Sequence, residues 1–520
     1  MVKRKREETV KDQQIPKQVS KVAKSTTSQQ TPAATATDSP AITLQIVTGS
    51  YERVLHGFTA AISPDAFARP DNATTTETSG SANLVQFVDN FLFEAHTSAI
   101  RCLALSPLPK ADSNEAPQVI LASGATDERV NLYSLSAAPV AFSEEYPTVP
   151  TLAGNKILEN PKNRELGSLM HHSAPISALS FPSRSKILVA AEDNTISVTK
   201  TRDFSVVSTI KAPRPKVQGR PSGDTAPPGG SPSGINDFAV HPSMKLMLSV
   251  GKGEKCMRLW NLVTGKKAGV LSFNREILQS VKEGKWSTGE GRRIVWNSAG
   301  DEFAVAFEWG AVVFGIDSTP ICRVFPSPRS KLHQMTYVSS DPSSEDSDEL
   351  LAVSTEDGRV IFYSTKEVEN APEGDESPIP FAKVVAQLGG RANGFPGRVK
   401  DFEVLSLKDQ PGPNKSDYLV VTANSEGLIR VWLLRGSELV GKKKGGKKNS
   451  SSKSDKAPEV NQVGRLLNTY ATGNRVTCLK AFVMLAADDS SDLFDSDDEE
   501  LEDEDEASEE ESDSEASDAE

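Results

Sequence analysis

The sequence predicts an all-β fold, a seven-bladed β-propeller, and three observations carry that prediction. Short apolar runs come in pairs joined by a tight polar turn, the pairs recur along the chain, and the two chain ends hold half-repeats that complete each other. The pairs are LASGATDERVNLYSL (121–135), LVAAEDNTISVTK (188–200), MLSVGKGEKCMRLWNL (247–262), FAVAFEWGAVVFGI (303–316), LAVSTEDGRVIFYS (351–364) and VVTANSEGLIRVWLL (420–434). Their runs of four to eight residues are rich in Val, Ile and Phe and often alternate with polar residues, the period of a half-buried strand. Each pair follows a further apolar run, such as IRCLALSP (100–107), ISALSFPS (176–183), INDFAVHPS (235–243) or VKDFEVLSL (399–407). A strand, a hairpin and one linking strand make a four-stranded antiparallel blade, which cannot bury its faces alone and must stack around an axis.

The ends account for the seventh blade. IVTGSYERVLHGFTA (46–60) reads as a hairpin without the strand before it, and RLLNTYATGNRVTCLKAFVML (465–485) as first strands without a hairpin. A closing blade shared by 44–60 and 463–485 leaves no free sheet edge, which would otherwise invite aggregation. Copies recur at about 50 to 70 residues rather than the roughly 40–45 of a propeller blade. Polar insertions at 139–163, 212–234, 339–349, 366–397 and 436–460 account for the excess and are expected to be loops. The domain reading is a basic tail over 1–40, a propeller over 41–486 and an acidic tail over 487–520, both tails lacking the apolar content to fold.

Repeat detail points to the WD class, whose signature is a histidine before the first strand, an Asp in the hairpin turn and Trp-Asp at the end of the third strand. His96 and His172 stand at the first position, Asp127, Asp193 and Asp357 at the second, and Trp260 and Trp432 near the third. In such repeats the histidine hydrogen-bonds the turn Asp of its own blade, so these residues are expected to be structural.

The strings GSYERVLHGF, FLFEAHTSAIRCLALS, LASGATDERVNLYSL, LGSLMHHSAPISALSF and MRLWNLVTGKKAGVLSFN resemble the WD-repeat family of the yeast maintenance-of-killer ribosome assembly factor. Its animal relatives are the p21-activated-kinase-interacting proteins. The resemblance covers most of residues 44–325 and is weaker through the last blades; blade four departs from the pattern, with no turn Asp in FEWGAVVF and an insertion at 274–291. The resemblance implies a nucleolar factor in assembly of the large (60S) ribosomal subunit and rRNA maturation, with pre-ribosomal proteins and pre-rRNA as partners. It also implies, as the alternative, a negative regulator that binds a p21-activated kinase.

Catalytic and metal chemistry finds little footing. The six histidines include no set with metal-ligand spacing; His171 and His172 are adjacent and point opposite ways, while His56 and His333 read as isolated. GKGEK (251–255) lacks the GxxxxGK[ST] pattern and a following helix, so it reads as an ordinary hairpin turn. No enzyme activity, cofactor, metal or small-molecule substrate is expected. Four scattered cysteines, Cys102, Cys256, Cys322 and Cys478, read as reduced thiols, and no run approaches the 18 apolar residues of a membrane span. The N-terminus, MVKRKREE, lacks the apolar stretch of a secretory signal.

Charge supplies the positive argument. The net charge is -13, yet residues 488–520 hold 20 Asp and Glu and no Lys or Arg, so the rest carries 58 basic against 51 acidic residues, a net of +7. A basic body suits phosphate contacts, and a polyanionic arm suits basic proteins or shielding of the body itself. Lys3, Arg4, Lys5 and Arg6 form a compact nuclear-import candidate, and KKKGGKK (442–448) is expected in a loop between blades six and seven; each also reads as a plain solvated charge run. Ser496, Ser508 and Ser512 each precede an acid by three residues, the pattern acidophilic kinases favour. A nuclear, nucleolar scaffold is the leading expectation, a kinase inhibitor the alternative, and a substrate-recruiting or chromatin-associated propeller a third.

Overall fold

The computed structural model describes residues 41–68, 84–109, 117–139, 149–150, 156–214, 233–284, 287–344, 347–370, 377–440 and 461–485. All of these fall in one compact unit. The tails, the Lys3–Arg6 cluster, KKKGGKK, Ser496, Ser508 and Ser512 lie outside the described residues.

Seven four-stranded antiparallel blades make up the unit; within 139–163, expected as loop, the short strands Val149–Pro150 and Lys156–Ile157 extend the sheet of the closing blade through Asp89↔Ile157, and a parallel bridge Arg323↔Phe381 joins the sheets of blades four and five. Blades one to six have inner strands Ile100–Leu105, Ile176–Ser183, Ile235–Val240, Arg293–Trp296, Leu332–Ser339 and Val399–Ser406, and the closing blade has Val476–Val483. Each inner strand neighbours the next, and Val476–Val483 contacts both Val399–Ser406 and Ile100–Leu105, so the ring shuts. Closure runs through a hydrogen-bonded ladder: Val476–Val483 pairs antiparallel with Ile42–Ser50 from Leu44↔Val483 to Ser50↔Val476, joining the C-terminal strand to three N-terminal ones.

The alternation in the sequence explains the core. One cluster of buried apolar side chains fills each of the seven interfaces between neighbouring blades, such as Ala104, Leu132 and Ile176 between blades one and two. Fully burying one such large side chain is worth about 1.5–3 kcal/mol, so every blade depends on both neighbours. Close approach is built in: a Cβ on Gly124 would stand 2.7 Å from Ile176 Cγ2 of the next blade.

Three sequence expectations need correction. Residues 366–397 are not all loop, because Phe381–Gly389 is the outer strand of blade five, its Ala382, Ala386 and Leu388 buried between flanks rich in Pro, Gly and Glu. Of residues 463–485 only Val476–Val483 joins the closing blade; Arg465–Ala471 is the outer strand of blade six, paired with Leu428–Leu434. In chain order KKKGGKK therefore falls between Leu428–Leu434 and Arg465–Ala471, two strands of the same blade, rather than between two blades.

Candidate functional site

The hairpin turns come first, since they fix the upper face of the ring. In blade one His96 Nδ1 is 3.1 Å from both carboxylate oxygens of Asp127, and its Nε2 is 2.8 Å from Ser123 Oγ. In blade two His172 Nδ1 is 3.1 Å from Asp193 Oδ2 and its Nε2 is 2.8 Å from Ser197 Oγ. Burial holds the His96 pKa below its usual value despite the attraction of Asp127. Burial alone would raise Asp193, but hydrogen bonds from His172 and Thr195 outweigh it and hold the carboxyl near 2.

Other blades solve the same problem differently. Trp260 Nε1 donates to Ser249 Oγ at 2.8 Å and Trp432 Nε1 to Thr422 Oγ1 at 3.1 Å, each tying the third strand to the second. Asp357 is paired with Arg359 at 2.6 Å instead of a histidine. These residues belong to separate blades and form no common site. His56 is not isolated: it is buried, with Nε2 2.8 Å from Asp89 Oδ1, and Tyr470 of blade six donates to the same oxygen. Among the described residues no group of three His, Cys, Asp or Glu is placed to hold a metal.

A second set of residues does converge. Six of the seven inner strands carry a register shift at their first turn, where one extra residue bulges out of the ladder. The bulged residues are Arg101, Ser177, Asn236, His333 (beside Gln334), Lys400 and Thr477, while blade four runs without a shift through Arg293. A bulge twists the strand and re-aims its side chain, so repetition around the ring gathers these side chains at one mouth of the channel.

Three of the six bulged residues bridge to the following blade. Thr477 Oγ1 donates to the Ile100 carbonyl at 2.7 Å, Arg101 reaches Glu192 at 2.7 Å, and Asn236 Nδ2 donates to the Gly291 carbonyl at 2.9 Å. Ser177 turns back to the Ala190 carbonyl of its own blade at 3.1 Å. An outer annulus of ion pairs reinforces them. Glu192 also receives Lys252 at 2.8 Å, and Glu308 receives Lys331 at 2.8 Å and Arg292 at 3.4 Å. Glu192 is kept below its usual pKa because the Arg101 and Lys252 hydrogen bonds outweigh its burial.

The mouth escaped sequence reading, although a signal exists. When the repeats are stacked on the buried residue opening each inner strand, the next position reads Arg101, Ser177, Asn236, His333, Lys400 and Thr477. Composition does not mark this column; strand register does.

Seven blades built of these hairpins and clamps define the class: a WD-repeat β-propeller. Residues 163–199, the outer strand of blade one and three strands of blade two, match the family "WD domain, G-beta repeat". Over most of its length the chain is similar to Protein MAK11 of Saccharomyces cerevisiae, 25% identical over 419 residues, 76% of this chain and 79% of that one. It is also similar to the p21-activated protein kinase-interacting protein 1-like of Gallus gallus, 22% identical over 445 residues, covering 86% and 82%. The Shk1 kinase-binding protein 15 of Schizosaccharomyces pombe is 26% identical over 277 residues, 53% of this chain and 61% of that one.

Proposed function

We propose that the protein is a non-catalytic propeller scaffold in ribosome biogenesis, acting in the nucleus and nucleolus on assembly of the large (60S) subunit and maturation of its rRNA. The observation that carries this reading is the extended similarity to Protein MAK11 across 76% of the chain, taken with the family resemblance of the sequence itself. The charge distribution supports it: a body of net +7 suits a particle rich in RNA, and the acidic arm suits basic ribosomal proteins. The non-catalytic part rests on chemistry. His96 and His172 spend both ring nitrogens on turn clamps, so neither is a free general base.

A second reading is binding of a p21-activated kinase, favoured by the names of relatives such as the Gallus gallus protein. Affinity purification of the tagged protein from nuclear extract separates the two. Co-purification of pre-60S proteins with precursor rRNA is the expected result. Recovery of a kinase with no precursor rRNA would replace the ribosomal reading with the kinase one.

A further inference from the structure

Around the mouth, blades five and six break the pattern of the other bulges. His333 and Lys400 are the bulged residues of adjacent inner strands, and neither has a hydrogen-bond or ion-pair partner among the described residues. His333 Nε2 is buried and unpartnered. An unmet buried donor or acceptor costs about 1–3 kcal/mol, and His333 Nε2 is the one such atom at a bulged position of the mouth among the described residues.

The surroundings are cationic. Arg398, Arg293 and Arg292 stand near the pair, and Arg475 precedes the neighbouring inner strand. Three of these arginines are held only loosely to carboxylates: Arg292 to Glu308 at 3.4 Å, Arg293 to Asp237 at 3.8 Å and Arg398 to Glu356 at 3.9 Å. Such separations exceed the 2.7–3.2 Å of a good N–H···O bond, so the guanidinium groups are free to turn toward another acceptor. Burial first, then Lys400, Arg398, Arg293 and Arg292, push the His333 pKa down to about 4, and burial with Arg398, Arg475 and Arg293 lowers that of Lys400.

We propose that the channel mouth between blades five and six is a binding site for a compact phosphate-bearing anion, seated on Lys400 and His333 and clasped by Arg398, Arg293 and Arg475. A phosphate group offers several strong acceptor oxygens and more than one negative charge, which matches one ammonium, one imidazole and convergent guanidinium groups. Size selects against an extended polyanion. Glu192, Glu308 and Glu356 stand in the annulus around the mouth, so a long nucleic-acid strand laid across it meets several carboxylates, whereas a small anion at blades five and six meets Lys400 and the arginines with Glu356 the one of these three carboxylates beside them. This site stands independently of the ribosomal reading.

Isothermal titration of the full chain with inorganic triphosphate, in phosphate-free buffer at low salt, tests it. One triphosphate per chain should bind, Lys400→Met should weaken binding at least about tenfold, and Lys400→Arg should retain most of it. Lys267→Met, on the exposed outer strand of blade three, should leave binding unchanged. Thermal unfolding of each variant establishes that it is folded. Absence of binding by the wild-type chain, or equal binding by folded Lys400→Met, overturns the proposal. So does Lys400-dependent binding of a single-stranded RNA without any binding of triphosphate, which would assign the cluster to a phosphodiester strand.

Discussion

Two arcs of the same ring treat the same position in opposite ways. From the closing blade through blade three, the bulged residues Thr477, Arg101, Ser177 and Asn236 are all spent on hydrogen bonds, three of them across a blade boundary. In blades five and six, His333 and Lys400 hold the equivalent places with no hydrogen-bond or ion-pair partner among the described residues. The first arc also carries both His–Asp turn clamps, while blade five closes its turn with Asp357 and Arg359. The difference teaches that the repeat scaffold tolerates local insufficiency: one arc is built for rigidity, and the stability it supplies lets the other arc keep an unpartnered imidazole and an unpartnered ammonium side by side.

The comparison can be broken most severely in the rigid arc. Replacing His96 with Ala removes its contacts to Asp127 and Ser123 and leaves a buried carboxylate short of its partner. A loss of about 2–3 kcal/mol is expected, read as a lower apparent melting temperature. An intermediate effect should appear with pH. His333 has a folded pKa near 4 against 6.5 for the free side chain, so the unfolded chain binds more protons in this window. Its contribution is fully present above pH 6.5 and is lost as pH falls toward 4; His96, also lowered, acts in the same direction. Melting temperature should fall over that range, and His333→Gln should flatten the slope. Asp193, held near 2, adds its own loss only below about pH 4. The smallest effect, with the opposite sign, belongs to Lys400→Met. It removes one charge from a repelling cluster while keeping the aliphatic bulk, so stability should change by no more than about 0.5 kcal/mol, toward greater stability. Marked destabilisation there would mean that Lys400 has a structural partner after all.

Much of this architecture is legible in the residues, and the failures have physical causes. Hairpins such as 121–135 and 420–434 announce themselves because one apolar period serves two strands joined by a short polar turn. Outer strands are harder to see. Phe381–Gly389 has a solvent-facing side, so its alternation is weak and the flanking Pro, Gly and acidic residues dominate the local composition. The link between His56 and Asp89 spans 33 residues, and Tyr470 joins them from the far end of the chain, which no local pattern reports. The mouth is least legible of all. Lys400 and His333 look like ordinary strand residues, and only the shift in register, together with the closing of the ring, puts them side by side.

The central claim, a scaffold for large-subunit assembly, meets its most direct test in cells depleted of the protein. Sucrose-gradient profiles should show a selective fall in free 60S subunits relative to 40S, with precursor rRNA of the large subunit accumulating. An unchanged ratio of 60S to 40S subunits after full depletion would contradict the account.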